Sequence, residues 1–287
     1  AHDPAEGRRR AAEFLAAMKI DTFEQLNAAS TAELLERHAA IVANASILFE
    51  MDTLFYPRTG GIAALDPFEA AAAGAGEGRE FLIGYTAYEM GLWLLWDDQL
   101  DRRTPEWAAR QIPWIPDSAR TELPDHYRAW LPDEPITRLG MHMLGDAMFA
   151  MPSMWMADLL AARGSSVHFY RFDWAAGPRV GALHAADQAF LFGHANSAVG
   201  APLVGQAADP AAAARREQIS RDMLTCVVAF ATGGGSALSS HSWPCWSSPG
   251  RQVRLFGGVQ SVAADPVGRR RQWWTANVLP ACLGGGA

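Results

Sequence analysis

The chain has 287 residues, 49% hydrophobic and 19% charged, which is apolar enough for a sizeable core and too weakly charged for a disordered chain. A formal net charge of -7 argues against a nucleic-acid binder, which needs clustered Lys and Arg to neutralise phosphates. Cys226, Cys245 and Cys282 lack Cys-x-x-Cys spacing, so they form neither a disulfide framework nor a zinc ribbon, and they fit a reducing, cytoplasmic setting.

In chain order, the first fifty residues read as helical, with Ala11, Ala12, Phe14 and Leu15 as an apolar stripe. Asp21-Thr-Phe-Glu24 and Ser30-Thr-Ala-Glu33 match the capping-box pattern that satisfies the first amides of a helix. Residues 55–80 read as a connector with Pro57, Gly60, Gly61 and Pro67. Phe81-Leu-Ile83, stopped by Gly84, reads as a buried strand. Residues 97–135, rich in charge, Trp and Pro, read as short helices and loops forming a cap. Ile136–Phe149 reads as a helix, and Pro152 as the start of another that runs to Arg163 and stops at Gly164.

Val167–Asp173, with aromatics at Phe169, Tyr170 and Phe172, reads as a second strand. Ala176-Gly177-Pro178 opens a loop that ends at His184, followed by a short apolar segment, Ala189–Phe192, closed by Gly193. A long helix is expected from Asp209-Pro210 to about Phe230, then turns over 232–250, a strand over Gln252–Phe256 and a helix over Arg269–Trp274. The basic runs Arg8–Arg10 and Arg269–Arg271 read as solvated helix ends, and Gly284–Ala287 as a tail. No stretch reaches the roughly 18 apolar residues of a membrane span, and no leader pattern is visible at the start. Because strands and helices interleave, the expected class is α/β.

Glu89 follows the first of these strands and His184 follows the second. Catalytic groups in open α/β sheets collect at the carboxyl ends of strands. A carboxylate on one imidazole nitrogen holds the tautomer and stabilises the imidazolium formed when the other nitrogen takes a proton. Glu89 and His184 are therefore the candidate catalytic pair, although most Glu and His residues on loops are only solvated surface. The eight histidines show no metal-ligand spacing, so no metal is expected. His168 and His142 read as packing or surface residues. Six methionines between Met141 and Met156 read as core filler, and Trp93, Trp96, Trp107, Trp114 and Trp130 as core filling ahead of a substrate gorge.

Leu82-Ile-Gly84 followed by Glu89-Met-Gly91 resembles the acidic segment of type-B carboxylesterases, in which Ile-Gly, a few residues and Glu-Gly carry the triad acid. Here Met90 intervenes. Val167–Asp173, then Gly181-Ala-Leu-His184, Asp187 and Phe190-Leu-Phe192-Gly193 resemble that family's histidine segment. Phe149-Ala-Met-Pro152, Phe230-Ala-Thr-Gly233, Trp243-Pro244 with Trp246, Asp265-Pro266 and Trp273-Trp274 are similar to further family segments in the same order.

The resemblance covers the chain from about residue 10. It implies residues 1–287 as the C-terminal part of one α/β-hydrolase domain, with a mixed, mostly parallel sheet and a helical cap. It also implies Glu89 and His184 as triad acid and base, a small-molecule ester substrate and no cofactor. The family's Gly-x-Ser-x-Gly elbow, which precedes the acid, has no match before Glu89. Gly234-Gly-Ser236 comes after the histidine and lacks the second glycine, so it reads as a plain turn. The expectation is that the nucleophile-bearing part is missing from this chain. Two alternatives stand beside it: a non-catalytic esterase-like module that binds protein partners, and an unrelated α/β domain. The latter would be favoured if the strands ending at Ile83 and Asp173 were not neighbours.

Overall fold

The structure, a computed structural model, describes residues 4–42, 59, 64–207, 209–258 and 261–279. Pro57, Gly60, Gly61, Cys282 and the glycine-rich tail lie outside these residues. The chain forms two compact units, Ala1–Ala70 and Ala71–Ala287.

The first unit contains helices α1 (Pro4–Met18), α2 (Phe23–Ala28) and α3 (Thr31–Val42). The box before α3 forms as expected: Ser30 N–H donates to Glu33 Oε2 at 2.9 Å, and Glu33 N–H to Ser30 Oγ at 3.2 Å. Before α2 the box is shifted by one residue. Thr22, in extended backbone, accepts from Gln25 N–H, and the Gln25 side chain returns to the Thr22 amide. Asp21 stays outside, donating its amide to Gln25 Oε1 at 2.6 Å. Part of the expected connector is also helical. Pro67 opens α4 (Pro67–Ala72), with Asp66 Oδ1 accepting from Phe68 N–H at 2.9 Å.

The second unit is built on a four-stranded sheet of β1 (Glu80–Thr86), β2 (Ser166–Phe172), β3 (Gln252–Phe256) and β4 (Val262–Ala264), in that spatial order. The first three strands are parallel and β4 is antiparallel, so the sheet is mixed and mostly parallel, as expected. Ile83 pairs with Phe169, so the two strands that lead to Glu89 and His184 are neighbours and the unrelated-domain alternative loses its ground.

Between β1 and β2 the chain is helical. α5 (Pro105–Arg110) and α6 (Asp117–Trp130) occupy the Pro-rich segment, followed by α7 (Ile136–Gly145) and α8 (Met151–Ala162). The expectation of a fresh helix start at Pro152 is corrected. Asp146–Ala150 form a π-helical turn that joins α7 to α8 with helical dihedrals throughout. Pro152 lacks an N–H, and its ring would meet the Met148 carbonyl in an α-helix. The wider turn, with Met151 N–H bonded to Asp146 O, accommodates both. Met141, Met143, Met151 and Met154 are buried as core filler. Trp96 and Trp114 are exposed, which corrects the reading of the tryptophans as uniformly core.

After β2 come α9 (Ala186–Leu191), α10 (Ala201–Val204), α11 (Pro210–Leu238) and, beyond β4, α12 (Gly268–Asn277). α11 continues into the first part of the segment expected to be turns, while residues 242–250 remain outside any helix. It breaks at Gly234 (φ 67°), a left-handed conformation that favours glycine, and resumes to Leu238. Pro210–His241 is also long and apolar enough to cross a membrane, which corrects the expectation that no stretch is. Ile219, Met223, Cys226 and Leu238 from this helix pack in one core with Phe172, Phe190, Trp243 and Phe256.

Candidate active site

Glu89 and His184 come together. His184 Nδ1 lies 2.6 Å from Glu89 Oε2, and the other carboxylate oxygen accepts from Thr86 N–H at 2.6 Å. Glu89 is 5% exposed while the His184 side chain is 37% exposed, so a buried carboxylate holds an imidazole that reaches solvent. Glu89 is not on an open loop as expected. It opens a 3-10 helix, Glu89–Leu95, directly beyond β1. That tight turn folds the carboxylate back onto the amide of Thr86, the last residue of β1.

His184 is on the loop after β2, as read from the sequence, and that loop is stitched to the chain after β1. Ala87 N–H donates to Phe172 O at 2.8 Å, Tyr88 N–H to Ala182 O at 2.9 Å and His184 N–H to Glu89 O at 3.1 Å. Arg138 donates to Pro178 O at 2.7 Å, and Arg179 reaches Asp101 Oδ2 at 2.7 Å and Leu94 O at 2.8 Å. Gly91 lets these segments meet, since a Cβ there would stand 1.9 Å from Val180 O. Ala185, next to the histidine, is left-handed (φ 65°), which costs a non-glycine residue about 1 kcal/mol. Asp187, in the first turn of α9, accepts from Tyr170 OH at 2.7 Å.

Phe149, read only as part of a family-like segment, and Trp93, read as core filling, also stand beside the histidine. The Phe149 ring lies 4.7 Å from the His184 ring and Trp93 lies 5.7 Å away, centroid to centroid. Phe149 sits in the π turn, so the readable signal was Pro152 interrupting an otherwise continuous helical pattern. Beside it, Asp146 Oδ2 accepts from Tyr127 OH at 2.5 Å and Arg270 at 2.8 Å, and Trp274 Nε1 donates to Tyr127 OH at 3.0 Å. A cavity of about 20 Å³ behind Glu89 is lined by Tyr85, Thr86, Tyr88, His142, Asp146 and Arg270, and by size it admits about one water. Burial pushes the Tyr85 hydroxyl up to about 12 and raises Tyr88, Tyr127 and Tyr170 in the same direction.

Ser236 is not brought to this pair. It lies in α11 with its hydroxyl donating to Gly233 O at 3.1 Å, and the adjacent Gly235 amide donates to Glu80 Oε1 at 2.9 Å. Glu80 begins β1 and Glu89 follows its end, so about 20 Å of strand separates them. His142 faces the Tyr88 ring, His168 is buried in β2 and His194 is exposed. Among the described residues no three His, Cys, Asp or Glu side chains group as metal ligands.

A mostly parallel sheet flanked by helices, with a carboxylate after one strand and an imidazole after its neighbour, defines an α/β-hydrolase architecture. Residues 8–257 match the carboxylesterase family, and the chain belongs to that family. A carboxylesterase of Geobacillus stearothermophilus at pH 6.2 superposes with a TM-score of 0.75 at 25% identity, over 95% of this chain and 55% of that one. A PNB esterase gives 0.75 at 22% identity, over 95% and 54%, and a thermophilic PNB esterase gives 0.71 at 20%, over 95% and 55%. The chain thus spans about half the length of these structures.

Proposed function

We propose that this chain supplies the acid and the base of a serine carboxylesterase, Glu89 and His184, and that the nucleophilic serine comes from a segment outside these 287 residues. The observation that carries the reading is the 2.6 Å contact of His184 Nδ1 with a nearly buried carboxylate. With Nδ1–H donated to Glu89, Nε2 is the proton acceptor. It takes the serine proton as the hydroxyl attacks the ester carbonyl, then returns it to the leaving alcohol. Water attacks the acyl-enzyme in the same way and releases the acid. The ionised Glu89 stabilises the imidazolium in both steps. Residues 97–135 are the cap of this site, and the whole chain is the C-terminal part of one hydrolase domain.

The competing reading is a non-catalytic esterase-like module that binds a protein partner. It is favoured by the lack of a Gly-x-Ser-x-Gly elbow before Glu89. Fluorophosphonate labelling and nitrophenyl-ester hydrolysis separate the two, measured on the chain as it stands and on the chain extended by its upstream coding sequence. The extended protein is expected to label and to lose turnover by roughly 10⁴-fold with His184→Ala, while the 287-residue chain does neither. Ester turnover by the chain alone, abolished by His184→Ala, overturns the assignment of the serine to another segment. An extended protein that never labels establishes the binding module.

A further inference from the structure

At the opposite end of the sheet, a second cluster brings a thiol, an imidazole and a hydroxyl together. Cys245 Sγ lies 3.4 Å from His168 Nε2 and 3.3 Å from Ser166 Oγ. Both partners belong to β2, and Cys245 is pinned opposite them. It forms an antiparallel bridge with His168, and the next residue, Trp246, donates its amide to Val167 O at 2.7 Å. On the other side of Cys245, Trp243 Nε1 donates to Phe169 O at 3.1 Å, and its ring is buried. The thiol is therefore held on a rigid strand edge, and it is exposed.

The imidazole behind it is 2% exposed. The structure is arranged to give this ring room. A Cβ on Gly235 would stand 2.5 Å from His168 Nε2 and 3.0 Å from Ser166 Oγ, so only glycine fits there. The break in α11 at Gly234 places Gly235 so that its amide reaches Glu80 Oε1, and Glu80 is the register partner of Ser166. The Gly-Gly-Ser stretch that poorly imitates a nucleophile elbow is thus accounted for as the wall of this cluster. Burial holds the His168 pKa below its ordinary value, against the backbone of Trp243 and Pro244 and the Glu80 carboxylate, which act in the opposite direction. The ring is accordingly a neutral proton acceptor near pH 7.

We propose that Cys245 is a thiol activated by His168 and is a site of S-thiolation by small disulfides. As Sγ attacks one sulfur of the disulfide, the thiol proton passes to His168 Nε2 and the reagent's S–S bond breaks. The departing thiolate leaves with the electron pair and takes up a proton from His168 or from water. Cys245 ends in a mixed disulfide and one equivalent of thiol is released. Ser166 Oγ, in contact with the sulfur, donates to the thiolate as it forms. Cys226, by contrast, is buried, and burial raises its thiol, so it stays inert.

The test uses dipyridyl disulfide on the chain at pH 7, with the modified cysteine identified by peptide mass spectrometry and its rate followed by release of pyridine thione. Cys245 is expected to react about tenfold faster in the folded chain than in the urea-unfolded chain. Cys245→Ser should remove this fast phase, His168→Gln should bring the rate to the unfolded value, and Ser166→Ala should slow it two- to threefold, on the order of one lost hydrogen bond. A folded rate no greater than the unfolded one, or a fast phase unchanged by His168→Gln, overturns the proposal. Should His168→Gln lose its helical circular dichroism, the folded-to-unfolded ratio for Cys245 in the unaltered chain decides the matter.

Discussion

Glu89 and His184 are tied twice across 95 positions of sequence, once by side chains at 2.6 Å and once by the His184 amide on the Glu89 carbonyl at 3.1 Å. The backbone bond sets where the imidazole stands, and the side-chain bond sets which nitrogen carries the proton. Glu89→Gln keeps the shape and removes the charge. If the proposed esterase reading holds, kcat is expected to fall by roughly 10³–10⁴-fold, with stability changed by less than about 1 kcal/mol. Paired kinetics and urea titrations check this. A large stability loss with kcat preserved would make the pair structural.

Phe149 packs against the His184 ring at 4.7 Å from within the π turn. Phe149→Ala frees the ring to leave its orientation, and kcat is expected to drop about tenfold with KM little changed. Phe149→Leu, which refills part of the volume, should recover much of that loss. Equal losses in both variants would mean that ring packing does not hold the base.

Gly91 approaches Val180 O so closely that an added Cβ would meet a backbone carbonyl at 1.9 Å. Gly91→Ala must push the His184 loop away. Its expected cost is about 2–3 kcal/mol, read as a lowered urea midpoint. Gly177, on the same loop, has open space around it, so Gly177→Ala is the control and should leave the midpoint near its starting value.

Three buried tyrosines, Tyr85, Tyr88 and Tyr127, and the half-buried Tyr170 have hydroxyls raised above the ordinary value of 10.0, Tyr85 to about 12. Above pH 10 the unfolded chain releases these protons and the folded chain keeps them. The unfolded state then binds fewer protons, so stability falls as pH rises. Stability from this source is complete below pH 10 and is lost as pH climbs toward the folded values. Denaturant titrations should show this decline beginning near pH 10, with tyrosinate absorbance from these four residues appearing only as the chain unfolds. Tyrosinate absorbance from these four residues in a folded chain at pH 10 would contradict their burial.

Much of this protein was legible in order along the chain. Continuous and alternating apolar runs placed β1 and β2, and Ser30 with Glu33 announced a helix start, because each signal is local. Glu89 and His184 were visible as candidates because each closely follows a strand end. The π turn at Asp146–Ala150 and the run of α11 past Gly234 were missed because proline and glycine mark a disturbance without saying whether the helix stops or absorbs it.

What the sequence by itself determined was where three of the four strands fall, that Glu89 and His184 follow the first two, and how closely these segments resemble one esterase family. Only the tertiary structure decided that β1 and β2 lie side by side. That parallel pairing brings Glu89 onto His184, sets Phe149 against the ring and leaves Ser236 at the far end of the sheet. It also brought Cys245 to His168, 77 positions away. The physical reason is the same in each case: propensity and periodicity act over a few residues, whereas a hydrogen bond across 77 or 95 positions exists only once burial has chosen the neighbours.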